Sequence, residues 1–332
     1  MRNFIGAFLA LLTLTTSLVA TTIASSEIQE IHEKALEWYG WSECKEMWKA
    51  AVKGERGSQL QPSLGTKKEN IQETAQRLGK KLAQEDTGGK PIYVTLTTIH
   101  NRLFGIGATV ETIVNGDVLP THIYIFLSND PYLLDQGVTC EYMSSATTMK
   151  LRAVYRIYPH ISVIFTRNIG SHRKLLPLLA KKWTEDCLLV TMDDHLLYPP
   201  SALNVLVQYY NAGGENAVVA RRSRRMGICS DYPPWKLAPY TKNKRGIWPE
   251  TKPARREMLM LPTGTGGVLY RPSFFHPVVF DRKFLNHTRT GDDLLFRLSC
   301  IAKGVSVITS CSPDDTKCVK LCLFDLIRQY FC

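Results

Sequence analysis

The feature that most constrains the fold is a short apolar run that ends in acidic and histidine side chains. Residues 187–200 read CLLVTMDDHLLYPP, so an apolar run leads directly to Asp193, Asp194 and His195. An apolar run of this length between helical patterns is typical of a buried strand in a parallel sheet. Open α/β sheets bind their ligands just outside the carboxyl ends of such strands. Two carboxylates and an imidazole at that position are candidate ligands for a divalent cation.

The same alternation of strands and helices continues along the chain. Apolar runs predict strands over 92–98, 122–127, 161–166, 188–192 and around 267–270. Helical patterns occupy 105–115, 171–183, 201–211 and 292–303. We therefore expect an α/β fold with a mostly parallel central sheet, flanked by helices and joined by right-handed connections.

The two ends of the chain differ from this central region. Residues 4–20 form an uncharged apolar run, of a length between a signal-peptide core and a short membrane span. We expect 1–25 to be a signal peptide or signal anchor, 26–88 a helical stem, 89–310 the main domain and 311–332 a cysteine-rich tail. The chain would then enter the secretory pathway, either as a single-pass type II membrane protein of the Golgi or ER or as a protein secreted after cleavage.

Composition narrows the class of partner. The nine cysteines suit an oxidising compartment, and their odd number leaves at least one unpaired. For the four near the C-terminus, a disulfide-pinned tail is favoured over a metal knuckle. A formal charge of +11 favours anionic partners such as a nucleotide diphosphate or anionic lipid heads. The chain has no nucleic-acid-binding motif, so we expect no nucleic-acid partner.

Five sequence blocks, in this order, resemble those of GT-A-fold glycosyltransferases, in particular the broad family-2-like group of nucleotide-diphospho-sugar transferases. The blocks are TLTTIHNRL (95–103), NIGSHRKLLPLL (168–179), VTMDDHLLYPP (190–200), GTGGVLYRP (264–272) and TGDDLLFRL (290–298). The resemblance covers about 91–310 and implies a GT-A domain over 89–310. It also implies transfer of a sugar, with inversion, from a nucleotide-diphosphate sugar to a glycan or other hydroxyl acceptor. The implied cofactor is Mn²⁺ or Mg²⁺, and an uncleaved leader would add a membrane contact.

The resemblance assigns a role to residues in each block. Asp193, Asp194 and His195 correspond to the DxD motif, in which many relatives carry a third Asp where this chain has His195. Asp193 and His195 are the implied metal ligands. Asp293, and less so Asp292, is the implied general base that deprotonates the acceptor. The residues implied to contact the nucleotide sugar are Thr97, Thr98, Arg102, Lys174, Asp193, Asp194, Gly266 and Gly267.

Some of these residues also have purely structural interpretations. Acids at the start of a helix favour its dipole and cap free amides, which would account for Asp292 and Asp293. Glycines such as Gly266 and Gly267 can form a simple bulge. For the whole chain, the alternatives are a catalytically inactive nucleotide- or glycan-binding protein of the same fold, or a nucleotidyltransferase.

Overall fold

The computed structural model of the protein describes residues 25–45, 69–225 and 256–310. Residues 1–24 of the expected leader and the whole cysteine tail lie outside these ranges. Within them, no helix is both long enough and apolar enough to cross a bilayer.

Most of the described strands belong to one central sheet. In chain order they are β1 (Ser42–Glu43), β2 (Lys81–Leu82), β3 (Ile92–Thr97), β4 (Val118–Leu119), β5 (His122–Leu127), β6 (Ile161–Phe165), β7 (Leu188–Thr191), β8 (Ala217–Ala220), β9 (Ser223–Arg225), β10 (Arg256–Glu257), β11 (Met260–Pro262), β12 (Val268–Tyr270) and β13 (Ser306–Thr309). In the described ranges, nine of them form a sheet of order β1-β6-β5-β3-β7-β12-β8-β13-β10. The strands predicted from the apolar runs are confirmed, and their observed boundaries lie close to the predicted ones.

The sheet is mixed rather than purely parallel. Strands β6, β5, β3 and β7 run parallel, and so do β8 and β13. Strand β12 is antiparallel to both of its neighbours, β7 and β8. The edge strands β1 and β10 are also antiparallel to their neighbours. The predicted α/β fold with a mostly parallel sheet is confirmed, although the strand around 267–270, like the edge strands β1 and β10, runs against its parallel neighbours.

Helices cover both faces of the sheet. In chain order they are α1 (Ser25–Tyr39), α2 (Ile71–Leu78), α3 (Leu103–Val114), α4 (Met149–Ile157), α5 (Leu176–Lys181), α6 (Ala202–Tyr209), α7 (Arg282–His287) and α8 (Asp292–Ala302). The helix predicted over 171–183 begins instead as a 3₁₀ turn, Gly170–Lys174, and becomes α5 only after it. Pro177 explains this start, because proline is favoured in the first turn of a helix, where its missing N–H is not needed.

Two apolar cores lie on opposite faces of the sheet. Neighbouring strand residues alternate between them, since Val190 packs with Leu103 and Leu206 whereas Leu189 packs with Leu178 and Phe296. These side chains are all fully buried. Burial of each contributes about 1.5–3 kcal/mol to stability. Because β3 and β7 lie in the middle of these layers, the residues that follow them are held at one edge of a rigid sheet.

The described parts of the segment 26–88 pack against this sheet. Strand β1 pairs with β6 as an edge strand, and Tyr39 at the end of α1 is only 1% exposed. A disulfide joins Cys44, just after β1, to Cys140 in the loop that precedes α4. Cys187 and Cys300 are free and buried. The division of the chain at residue 88 stays a prediction.

Candidate active site

The candidate site lies at the carboxyl edge of the parallel strands. Strands β3 and β7 are adjacent, with Thr95 opposite Thr191, and the amide of Met192 donates to the carbonyl of Thr95 at 3.0 Å. The segments that follow the two strands, 98–102 and 193–195, therefore leave the sheet side by side. Arg102 Nη1 accordingly lies 3.1 Å from Asp194 Oδ1. The two predicted blocks are thus brought together.

Lys174 lies among the carboxylates of both acidic motifs. Its Nζ is 2.6 Å from Asp292 Oδ2, 3.4 Å from Asp193 Oδ1 and 3.6 Å from Asp293 Oδ1. The side chain is only 7% exposed. Burial alone would lower the pKa of the ammonium, but Asp292, Asp193 and Asp293 raise it well above its ordinary value. The three acids thus favour the charged form of Lys174.

The position of Lys174 is fixed by its backbone. It ends the 3₁₀ turn that precedes α5, and the Thr95 hydroxyl in β3 donates a hydrogen bond to its carbonyl. The preceding residue, Arg173, is 1% exposed and pairs with the equally buried Asp135 at 2.7 Å. Removing one partner of such a buried pair would leave the other charge uncompensated. This anchoring holds the Lys174 side chain in one place at the edge of the sheet.

The two carboxylates at the start of α8 differ in their surroundings and in the direction of their pKa shifts. Asp292 is 8% exposed, pairs with Lys174 and accepts a hydrogen bond from Ser171 Oγ at 2.8 Å. Burial would raise the pKa of Asp292, but Lys174 and Ser171 hold it below its usual value. Burial raises the pKa of Asp293 to about 6, and the charges of Asp292 and Asp193 add to the effect against the opposing influence of Lys174. Asp293 is thus the carboxylate that exchanges a proton near neutral pH.

Gly264 brings backbone against this cluster. Its amide donates to Asp293 Oδ2 at 3.3 Å. A Cβ at this position would lie 2.5 Å from Asp193 Oδ1 and 2.7 Å from Lys174 Nζ, which is closer than atoms can pack. Only glycine allows this approach. The turn over 264–267 therefore closes one side of the cluster.

The predicted glycines Gly266 and Gly267 serve the same turn from its other side. Their φ values of 94° and 100° lie in the region that favours glycine. A Cβ on Gly266 would approach Arg221 Cβ at 3.1 Å, and one on Gly267 would approach Leu206 Cδ1 at 3.2 Å. Both residues thus face the protein's own side chains, and contact of either with a nucleotide stays a prediction.

Asp194 supports His195. It is 5% exposed, its Oδ1 lies 3.2 Å from His195 Nδ1, and Thr109 Oγ1 donates to its carbonyl at 2.9 Å. Burial would raise the pKa of Asp194, but the His195 hydrogen bond and the Arg102 charge keep it below its usual value. A carboxylate on one ring nitrogen fixes the imidazole and leaves the other nitrogen for a metal. Nε2 of His195, whose side chain is one-third exposed, is the nitrogen left for a ligand.

Asp193 and His195 stay the predicted ligands of a divalent cation, and a substrate would have to complete its coordination. In the part of the chain that the structure describes, no three or more His, Cys, Asp or Glu residues are grouped to hold a metal by themselves. Two protein ligands with the remainder from water and phosphate is the usual arrangement for Mg²⁺ at nucleotide sites. The charge balance also favours a bound cation. The carboxylates of Asp193, Asp292 and Asp293 carry three negative charges, and the Lys174 ammonium neutralises only one of them.

The predicted threonines have structural partners. Thr97 Oγ1 donates to the Phe126 carbonyl at 3.0 Å. Thr98 is 1% exposed, and its carbonyl accepts from Arg173 Nη2 at 3.3 Å. Both therefore help to hold the end of β3, and a nucleotide contact from either stays a prediction.

Three residues of the site lie outside the predicted set. Ser171 binds Asp292, Gly264 approaches the cluster, and the Tyr198 hydroxyl accepts from the Asp193 amide at 2.7 Å. Ser171 and Gly264 belong to sequence blocks that carry the resemblance, so their position was available as a signal. Tyr198 also lies in such a block (190–200), but only the fold reveals that its hydroxyl returns to the Asp193 amide.

Two proteins of known structure are among those that resemble this chain. No protein-family model matches the chain, and no curated protein matches it in sequence. Glucosyl-3-phosphoglycerate synthase from Mycobacterium tuberculosis, in complex with Mn²⁺, uridine diphosphate and phosphoglyceric acid, is 19% identical with a TM-score of 0.29. That match covers 42% of this chain and 45% of the synthase. S. aureus TarS 1–349 is 15% identical with a TM-score of 0.39, and its UDP complex is 14% identical with a TM-score of 0.38.

Both TarS matches cover 68% of this chain and 62% of TarS 1–349. The chain thus spans less than two thirds of each of these structures. At these TM-scores the likenesses carry no conclusion about activity, which must be argued from the site.

Proposed function

We propose that the protein is an inverting glycosyltransferase that moves a sugar from a nucleotide-diphosphate sugar to a hydroxyl acceptor. The observation that carries the proposal is the convergence of the two acidic motifs, Asp193 and Asp292–Asp293, at one edge of the sheet. The motif at Asp193 suits the diphosphate of a donor, and the motif at Asp292–Asp293 suits an acceptor hydroxyl.

The donor side of the site consists of Asp193, His195 and Arg102. Asp193 and Nε2 of His195 would hold Mn²⁺ or Mg²⁺. When bound, this cation neutralises the negative charge that develops on the departing diphosphate. The Arg102 side chain is 45% exposed and already lies beside Asp194, so its guanidinium can donate to a phosphate oxygen.

The acceptor side of the site is Asp293. Of the two acids on α8, Asp292 is committed to Lys174 and Ser171, whereas the Asp293 side chain is 29% exposed. Asp293 accepts the proton of the acceptor hydroxyl as its oxygen forms a bond to the anomeric carbon of the sugar. The bond from that carbon to the diphosphate breaks in the same displacement, and the electron pair leaves with the nucleoside diphosphate. One displacement of this kind inverts the anomeric centre.

The compartment is part of the proposal. The Cys44–Cys140 disulfide favours an oxidising environment, and it agrees with the apolar run at 4–20. The exposed Asn286 of the Asn-His-Thr sequon would then carry a glycan. Protein expressed in animal cells should shift on a gel after N-glycosidase treatment. An unshifted band, with the disulfide reduced in the cells, would place the protein elsewhere.

The test is transfer from a panel of nucleotide sugars with Mn²⁺, scored against the Asp293→Asn variant. Loss of a general base lowers the rate by about 10²–10⁴-fold. Asp186→Asn is the matched control, since Asp186 is an exposed acid paired with Lys90 and Arg271 at the far end of the strands. Turnover unchanged in Asp293→Asn would exclude this base. Nucleotide binding without turnover on any acceptor would exclude glycosyltransferase activity.

A further inference from the structure

The Lys174 ammonium lies where the two acidic motifs of the site meet. Three carboxylates from two separate motifs converge on its Nζ within 3.6 Å. We infer that the Lys174 ammonium is a protein-borne cation in the place of a second divalent ion, and that it positions Asp292 and Asp193. The inference rests on the proposed function for its catalytic meaning, but its test uses neither donor nor acceptor.

The geometry around Lys174 is that of ligands around a cation. The ammonium has three N–H donors, and it lies within hydrogen-bond distance of Asp292 and Asp193, whereas Asp293 at 3.6 Å makes an ion pair only. The Asp292 contact at 2.6 Å is a close ion pair, and the two longer contacts arrive from Asp193 and Asp293. Lys174 is therefore the residue that ties the acidic pair on α8 to the acid that follows β7.

Asp193 would be shared between the Lys174 ammonium and the divalent cation. Its contact with Lys174 is made through Oδ1, and the Cβ position of Gly264 also faces Oδ1. The second oxygen of Asp193 would then hold the divalent ion. A carboxylate that bridges two cations is the arrangement of two-metal sites, in which paired ions stabilise attacking and leaving oxygens. In this protein the Lys174 ammonium would supply one of the two positive charges.

Burial explains why the chain must supply this charge. The side chains of Asp292 and Lys174 are 11% and 7% exposed, so solvent screens their charges poorly. Without Lys174, three carboxylates would face one another in a partly buried space. Such a group either protonates or binds a hard cation through its oxygens.

The Lys174→Met variant tests the inference. Methionine is unbranched and of similar length, so it occupies the space of the Lys174 side chain without its charge. Mn²⁺ binding is measured by calorimetry and by electron paramagnetic resonance on the full chain, without nucleotide. We expect the variant to bind Mn²⁺ at least about tenfold more tightly than the native protein, because three unpaired carboxylates replace a neutralised cluster. Unchanged or weaker Mn²⁺ binding in the folded variant would overturn the inference.

Two further variants separate this role from a general effect on folding. Lys182→Met removes a lysine that pairs with Glu185 just after α5, and we expect no gain in Mn²⁺ affinity. Lys174→Met combined with Asp292→Asn removes one carboxylate with the ammonium, and we expect the gained affinity to disappear. If Lys174→Met folds only when Mn²⁺ is present while the double variant folds in chelator, the inference holds. If both remain unfolded under all conditions, it fails.

Discussion

The substitution Gly264→Ala gives the sharpest test of the site's geometry. The new Cβ would lie 2.5 Å from Asp193 Oδ1 and 2.7 Å from Lys174 Nζ. Ordinary carbon–oxygen contacts are near 3.4 Å, so the Asp193 carboxylate must move by about 1 Å. The Lys174 ammonium must move with it, because the two groups are held together at 3.4 Å.

The expected size of the effect follows from that displacement. Misplacing a reacting or binding group by about 1 Å costs about 10²-fold in rate. Overpacking a well-packed site costs about 1–3 kcal/mol of unfolding free energy. We therefore expect about a hundredfold loss of transfer activity in a protein that remains folded, together with weaker Mn²⁺ binding through Asp193.

The assay compares Gly264→Ala with Gly213→Ala by transfer rate, calorimetric Mn²⁺ binding and urea unfolding. An added Cβ on Gly213 would meet no atom closer than 3.7 Å, so alanine makes no clash with a neighbouring side chain there. The control should keep its rate. A Gly264→Ala enzyme with native rate and native Mn²⁺ affinity would refute the placement of Gly264 against the acids.

Three further outcomes follow from the same contacts. The transfer rate should rise with pH through about 6, because the base Asp293 accepts a proton only when it is deprotonated. The charged groups that face Asp293 are Lys174, Asp292 and Asp193. A transfer rate that does not change with pH across that range would contradict the role of Asp293. His195→Ala and Asp194→Asn should each weaken Mn²⁺ binding, measured by calorimetry. For Asp194, which supports the His195 ring, the expected loss of affinity is about 10–100-fold. Native Mn²⁺ affinity in both variants would exclude His195 as a metal ligand. Arg173→Met should lower the free energy of unfolding by about 3–5 kcal/mol, because it strands buried Asp135, and urea titration would show it. Lys90→Met, which breaks an exposed pair, should change that free energy by less than about 1 kcal/mol.

The strands could be predicted because their side chains are buried on both faces. Leu188, Leu189 and Val190 form an uninterrupted apolar run for that reason, and the run locates β7 to within one residue. The antiparallel direction of β12 could not be predicted, since direction depends on how the chain returns to the sheet. The helix α4 could not be predicted either, because it is short and only Leu151 and Val154 are buried along it.

The site could be predicted in part. The positions of Asp193 and Asp293 at strand and helix ends follow from pattern and resemblance, and both lie at the Lys174 cluster. The pairing of Lys174 with these acids required the fold, because a continuous helix from 171 would have oriented this side chain differently from the observed 3₁₀ turn. The Cys44–Cys140 pair could not be deduced from sequence, since nine cysteines allow many pairings.

The central claim is that a nucleotide diphosphate and a divalent cation bind together at Asp193. Calorimetric titration of the native protein with UDP and with GDP, each with Mn²⁺ and then with chelator, measures this directly. We expect metal-dependent binding of at least one of them, lost in Asp193→Asn and kept in the exposed control Asp186→Asn. Equal binding by all three proteins, or no binding of either nucleotide to the native protein, would contradict the account.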